Sequence, residues 1–328
     1  MKRRSFILGS ASTILLGGVP TGLWSAQIDK TKVGLIMDDI FLNYHLMPGH
    51  PESPQRYQVM KDTILKSTFI ESLATPDLHE STENWLTSIH TAEHIQSVKQ
   101  NYTEAYPVAV AAVAAALSAV DEVLNKRLQH VFCATRPPGH HALNTGKEEG
   151  FCYFNQIAIA ARYAQKKYGL KNILIVDWDY HHGNSTEAMF YEDPSILFFS
   201  THDQYAYPGT GNPAKTGKGA GKGFNVNVHL PCETTDEMII DAFKRHLLPL
   251  LPTFKPELVL ISAGFDSKKN DRLGCYNVTD AGFVELTNIM KTAANQYCDG
   301  KIVSVLEGGY NLQGNADAVK AHLNALLQ

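Results

Sequence analysis

A three-layer α/β fold around a mainly parallel sheet is what this sequence predicts, on three observations. Apolar runs such as residues 173–176 and 258–262 lack the alternation of a half-exposed strand, as expected of strands buried on both faces. Stretches of helical periodicity separate them, and strands alternating with helices build parallel βαβ units. Several runs also end abruptly in Asp, His or Tyr. In open α/β sheets the carboxyl ends of the strands are where ligands bind.

Composition sets the bounds. The 328 residues are 44% hydrophobic and 19% charged, which suits a globular fold; no repeat or low-complexity linker divides it, so one domain is expected. A formal net charge of -4 leaves no basic footprint, so no nucleic-acid partner is expected. The five cysteines (Cys133, Cys152, Cys232, Cys275 and Cys298) lie far apart without a C-x-x-C pair. Neither a disulfide nor a thiolate zinc site is expected from them.

The chain opens like an export signal. Lys2, Arg3 and Arg4 precede an apolar run over 6–19, then Pro20 and the small residues Ser25 and Ala26. The run is shorter than the roughly 20 residues that span a bilayer, so no permanent membrane anchor is expected. The order RRSFIL resembles a twin-arginine signal, the address of cargo exported already folded. Trp24, at the minus-three position of a cut after Ala26, departs from the A-x-A pattern. The expectation is a signal over 1–26, a domain over 27–328, and an exported, periplasmic protein. Removing the signal takes three positive charges and no acids, moving the net charge from -4 to -7.

Each element follows in turn. Residues 33–37 read as the first strand, ended by Asp38 and Asp39. After a Pro-rich loop, 54–72 reads as a helix with Ser53 as N-cap and Pro54 in its first turn. A helix over 90–102 is capped by Thr91, and Pro107 opens a long helix over 108–126. That helix is apolar nearly all round, the mark of buried core. A strand at 131–134 runs into a loop holding His140 and His141, and a helix follows over 155–168. Phe151, after Gly150, reads equally as core or as the wall of a channel.

The stretch 173–184, ILIVDWDYHHGN, is the centre of the chain. Residues two apart in an extended segment point the same way, so Asp177, Asp179 and His181 can converge. Two carboxylates and an imidazole beside a buried strand need a cation or hydrogen bonds to offset desolvation. A short helix over 185–191 and a strand over 196–200 come next. The segment 201–223 carries six glycines without apolar periodicity and reads as a functional loop, though not a phosphate-binding one. The remaining strands are 224–228, 258–262 and 302–306, and the remaining helices 236–248, 279–297 and 315–327. Asp266 and Tyr310 stand just beyond the last two strands.

The motifs RPPGHHA, GFCYFN, DWDYHHGN, SAGFDS and EGGYNL, in that order, resemble those of the zinc-dependent histone deacetylase and acetylpolyamine amidohydrolase superfamily. HPESPQR and the Glu before Gly308 are similar to its class II branch. The resemblance covers essentially all of the chain after the signal. It implies an arginase-like, eight-stranded sheet and the hydrolysis of an N-acetyl amide to acetate and an amine.

Residue by residue, the resemblance implies that Asp179, His181 and Asp266 hold one catalytic zinc ion with an open position. It implies His141 as general base and then acid, His140 as electrostatic support, Asp177 behind His140, and Asn184 behind His141 where class I has Asp. Tyr310 would donate to the oxyanion, where some vertebrate class II relatives carry His. Phe151 and Tyr207, with Gly150 and Gly309, would line the acyl channel, and Arg56 would meet departing acetate. Leu273 falls at the rim position where polyamine-selective relatives carry an acid, with Arg272 beside it. A structural potassium ion would use Asp177, Asp179, His181, Ser200 and Thr201. A second would use carbonyls of Phe190, Asp193, Ile196 and Phe224. The substrate implied is an acetylated peptide or small acetylated amine; oligomeric state is not specified. Two other classes stand beside this reading: a non-catalytic acetyl-group binder, and a two-manganese ureohydrolase of the same fold, which His182-Gly183-Asn184 supplies too few carboxylates to support.

Overall fold

The structure is a computed structural model that describes residues 32–328; the expected export signal over 1–26 lies outside the described residues. The first half contains β1 (Val33–Ile36), α1 (Pro54–Leu65), α2 (Glu83–Leu86), α3 (Ala92–Asn101), α4 (Ala105–Leu124), β2 (His130–Cys133) and α5 (Gln156–Tyr168). Then come β3 (Ile173–Asp177), α6 (Asn184–Phe190), β4 (Ile196–His202), β5 (Asn225–His229), α7 (Asp236–Ala242) and α8 (Leu251–Phe254). The chain closes with β6 (Leu258–Ala263), α9 (Asp280–Tyr297), β7 (Ile302–Leu306) and α10 (Leu312–Leu327).

The strands form one sheet in the order β1-β2-β7-β6-β3-β4-β5, every pair parallel. This corrects the eight strands that the resemblance implied. Among the described residues the sheet has seven, one for each apolar run in the sequence. Helices cover both faces. Successive side chains of a strand point to opposite faces: Phe132 packs its ring on His322 of α10, while the next residue, Cys133, reaches the carbonyl of Ala115 in α4. Helix α4 packs on α5, and α10 on α1 and α9.

Local chemistry explains where elements begin and end. Thr91 caps α3 by accepting from His94 N–H, and Asn155 caps α5 by accepting from Ala158 N–H. Helix α1 stops at Leu65, short of the expected residue 72, where the Ser67 N–H and hydroxyl both turn back to the Ile64 carbonyl. Ser53 takes the N-cap position without a side-chain hydrogen bond. Helix α4 begins at Ala105, so Pro107 lies within its first turn, where a missing N–H costs nothing. The helix expected over 236–248 is α7 followed by a π turn, and α10 starts earlier than expected because Asn311 caps it.

One expectation about cysteine fails. Cys232 and Cys275 form a disulfide, while Cys133, Cys152 and Cys298 are free and buried. Their separation of 43 residues hid the pairing. The parallel sheet brings the loops after β5 and β6 together at one end, which spacing in sequence does not reveal.

Candidate active site

Strands β2, β7, β6 and β3 are neighbours in the sheet, so the loops leaving their carboxyl ends meet. Those loops carry His140 and His141, then Tyr310, then Asp266, then Asp179 and His181. Asp177 ends β3 in register with Ser262 of β6 and Ser200 of β4. The ligating atoms of Asp179, His181 and Asp266 all lie within 4.8 Å of one another, and the two carboxylates are fully buried. His181 Nδ1 is 3.2 Å from Asp179 Oδ1 and 2.9 Å from Asp266 Oδ2. Backbone donors fix the carboxylates: Gly308 N–H to Asp179 Oδ2 and Tyr180 N–H to Asp266 Oδ1, both at 2.8 Å.

The donor set fits a divalent cation. Burial, then the neighbouring Asp179 charge, pushes Asp266 up to about 7, the response of two carboxylates crowded together out of water. Burial opposes protonation of His181, yet Asp266 and Asp179 outweigh it and push His181 up to about 10. An added positive charge relieves both. Among the described residues this is the one cluster of three or more such side chains.

The paired histidines sit in different surroundings although they are adjacent. His140 Nδ1 lies 2.9 Å from Asp177 Oδ2; burial alone would lower it, but Asp177, Asp179 and Glu307 hold it well above its ordinary value. His141 Nδ1 lies 2.7 Å from Asn184 Oδ1, and burial together with the His140 charge holds it well below. An amide oxygen only accepts, so Nδ1 of His141 carries the proton and Nε2 keeps a free lone pair. Tyr310 is buried, and burial raises its hydroxyl well above the ordinary value, so it remains a donor.

Phe151 stands edge-on to Tyr310 with ring centroids 5.8 Å apart, and Tyr207 stands edge-on to His141 at 5.0 Å. A Cβ on Gly150 would lie 2.4 Å from the His141 ring and 2.7 Å from the Tyr207 ring, so only glycine lets the loop close on both. Tyr207 is 49% exposed and Leu273 40%, placing both toward solvent. Arg56 is buried behind Tyr310, with its Cζ 4.7 Å from the ring centroid. Its guanidinium donates to the Gly309 carbonyl at 2.7 Å, the Glu307 carbonyl at 2.6 Å and Glu52 at 3.3 Å. Here it braces the turn that presents Tyr310.

Several supporting residues escaped the sequence reading. Glu307 accepts from Gly139 N–H at 2.7 Å, His140 N–H at 3.2 Å and the Ser262 hydroxyl at 3.0 Å, pinning the histidine turn to β7. Arg136 grips both oxygens of Glu52, at 2.9 and 2.8 Å. His94 lies 2.8 Å from the Tyr153 carbonyl and accepts from Gly146 N–H at 3.0 Å, and His90 accepts from Asn155 N–H at 2.9 Å. These two rings tie down the loop between His141 and α5. Asp271 takes the N–H groups of Tyr310 and Asn311 on one oxygen, at 2.6 and 2.9 Å. The only available signals were the charge in HPESPQR and the acid before Gly308-Gly309.

The profile described as Histone deacetylase domain matches residues 50–326. The chain belongs to the histone deacetylase family. It is accordingly a hydrolase acting on acetylated amides. A protein of Archaeoglobus fulgidus named Probable deacetylase is 34% identical, over 86% of this chain and 82% of that one. Polyamine deacetylase HDAC10 of Danio rerio is 34% identical over 89% of this chain, which spans 47% of the length of that relative. The crystal structure of the HDA15 HD domain superposes with a TM-score of 0.84 at 32% identity, covering 91% of this chain and 88% of that one. The arginase-like architecture expected from the motifs is therefore the fold of this family.

Asp266→Ala should leave two ligands and abolish retention of a divalent ion. Metal content of the purified protein measures this directly. Wild-type metal content in the variant would overturn the ligand assignment.

Proposed function

We propose that the chain is a single-zinc deacetylase whose preferred substrate is an acetyl-lysine-like amide. The observation that carries this reading is the meeting, on four adjacent strand ends, of the Asp179–His181–Asp266 cluster with two differently partnered histidines and a buried tyrosine hydroxyl. Asp179, His181 and Asp266 would hold the zinc, which would supply a Lewis acid for the acetyl carbonyl and would acidify water.

The chain's own residues do the rest. His141 Nε2 takes a proton from water and hands it to the leaving nitrogen, as a neutral imidazole with a free lone pair can do. His140 keeps its proton against Asp177 and places positive charge beside the oxygen on which negative charge develops. Tyr310 donates its hydroxyl hydrogen to that oxygen. Phe151 and Tyr207 hold the acyl chain between aromatic walls. Arg56 is close enough to the turn of Gly309 and Tyr310 for acetate leaving the site to pass it, although its donors are engaged with backbone and Glu52.

The reading extends to potassium. A first ion beside Asp177, Asp179, His181, Ser200 and Thr201 is supported by the Asp177–Ser200 register, which joins the ends of β3 and β4. For a second ion, the carbonyls of Phe190, Asp193 and Phe224 already accept backbone N–H groups at 3.0, 3.5 and 2.9 Å. Each carbonyl retains a second lone pair for a cation.

Substrate preference follows from the rim. Leu273 and Arg272 are exposed there, and Asp271 beside them spends its oxygens on four backbone N–H groups. A polycationic acetylamine finds no free carboxylate at that position and a repelling guanidinium beside it. The basic leader, the apolar run behind it and the disulfide support export to an oxidising compartment, the periplasm.

Tyr310→Phe should retain metal and fold yet lose on the order of 10²–10³ in kcat, the usual cost of one oxyanion donor. An undiminished kcat would remove that role from the hydroxyl. Acetyl-lysine peptides should show a higher kcat/KM than acetylspermidine when the two are assayed side by side, and the reverse order would establish a polyamine deacetylase instead. Replacing Arg3 and Arg4 with Lys should trap active protein inside the cell. Fractionation that finds the variant exported like the wild type would reject the twin-arginine route.

A further inference from the structure

The five cysteines fall into two classes. Cys133, Cys152 and Cys298 are buried free thiols, while Cys232 and Cys275 are joined with their Cα atoms 5.2 Å apart. Cys232 is exposed in the turn after β5, and Cys275 is half-buried in the loop after β6. The bond therefore links two loops at the carboxyl edge of the sheet, and its outer sulfur belongs to a residue that a thiol in solution can reach.

The second loop borders the catalytic groups on several sides. Asp271 accepts from Leu273 and Gly274 N–H on one oxygen and from Tyr310 and Asn311 N–H on the other. Gly274 folds back so closely that a Cβ there would lie 1.9 Å from the Asp266 carbonyl oxygen. Cys275 Sγ is 3.2 Å from the hydroxyl of Tyr180, whose own N–H holds the Asp266 carboxylate. On the far side, Glu233 N–H donates to the Cys275 carbonyl and Asn277 N–H to the Thr234 carbonyl, both at 2.8 Å. Asp271 thus ties one end of the rim segment to the tyrosine turn, and the disulfide ties its other end to the neighbouring loop. Leu273 stands between the two anchors.

We propose that Cys232–Cys275 is a reversible disulfide that holds the substrate rim in order, so that its reduction weakens substrate capture without removing the catalytic groups. Closure consumes a disulfide donor. One thiol attacks the donor's S–S bond to give a mixed disulfide, and the second displaces it. The Cys232–Cys275 bond forms, the donor's bond breaks, and the two electrons and two protons leave as two donor thiols. Opening is the reverse, initiated by thiolate attack on the exposed sulfur of Cys232. Asp266 and Tyr310 keep their own anchors, Tyr180 N–H and Asp271, so the effect falls on binding.

The test uses the full chain purified without reductant. Maleimide labelling after denaturation should add three labels before reduction, for the free cysteines, and five after it. Reduction with a phosphine should raise KM for an acetyl-lysine peptide about fivefold, the scale of re-ordering a freed rim segment on binding, with kcat held. Oxidised glutathione should restore the first value. Amides of residues 272–278 should exchange hydrogen faster in the reduced protein, a readout that stands even if the chain turns over no acetyl-lysine. Cys232→Ser with Cys275→Ser should match the reduced wild type and ignore reductant. Five labels without reduction, equal exchange and KM in the two states, or equal response of wild type and double variant to the phosphine would each overturn the proposal. Should the double variant not fold, the reduction and re-oxidation of the wild type decide it alone.

Discussion

Holding Asp179 and Asp266 side by side, both without solvent, is the constraint from which the rest of the architecture follows. Two buried carboxylates repel and lose their hydration, and neither cost is met by the apolar strands beneath them. The chain answers with backbone donors aimed at each oxygen, with His181 between them, and with the demand for a cation. Those donors need the backbone very close. A Cβ on Gly308 would stand 2.1 Å from Asp266 Oδ2 and 2.6 Å from Asp179 Oδ2. The glycine after Glu307 is thus a requirement of the neighbouring acids, and it lets the loop after β7 reach across β6 toward β3.

A second set of buried charges stands behind the first. Glu52 and Arg136 form a bidentate pair, Arg56 joins Glu52 from α1, and Arg56 in turn holds the carbonyls of Glu307 and Gly309. Buried ion pairs are weak contributors to net stability because desolvation offsets attraction. Their value here is positional. They connect the first helix to the loops after β2 and β7, two strands that pair in the sheet. Glu307 extends the chain of contacts to the main chain of Gly139 and His140. His140, His141 and Tyr310 are therefore set against the same internal frame.

Much of this was legible in the sequence. All seven strands were legible as segments, four of them leading into His140/His141, Asp177/Asp179/His181, Asp266 and Tyr310, and Asp179, His181 and Asp266 meet as the motifs imply. Asn184 behind His141 and Asp177 behind His140 also follow from motif position. What the sequence could not convey is which strand ends are neighbours. The order β2-β7-β6-β3 joins residues from positions 140 to 310, and chain order gives no hint of it. The same gap concealed the disulfide, the Glu52–Arg136 pair and the double anchorage of Asp271. Each is a long-range contact between residues that separation in sequence does not pair. Helix ends were misjudged for a different reason: a serine turning back on a carbonyl, or an asparagine cap, acts locally and overrides periodicity.

The deepest consequence of that frame is the unequal treatment of two identical neighbours. His140 and His141 are both buried, their ring centroids 4.0 Å apart, and burial alone drives each toward neutrality. A carboxylate behind the first and an amide behind the second separate them. Asp177 supplies full negative charge to His140, which overcomes desolvation and keeps the ring protonated. Asn184 supplies only a dipole, so His141 feels burial and the adjacent positive charge and stays neutral. Pairs of titratable groups driven apart by their partners are how one site performs acid and base roles at a single pH. Asn184 opens α6 and Asp177 closes β3, so the turn between them sets both second partners at once. In a site with Asp in place of Asn184, both rings would be drawn toward the charged state and the division of labour would narrow. The amide therefore preserves a proton acceptor at His141 Nε2 beside a fixed positive charge at His140.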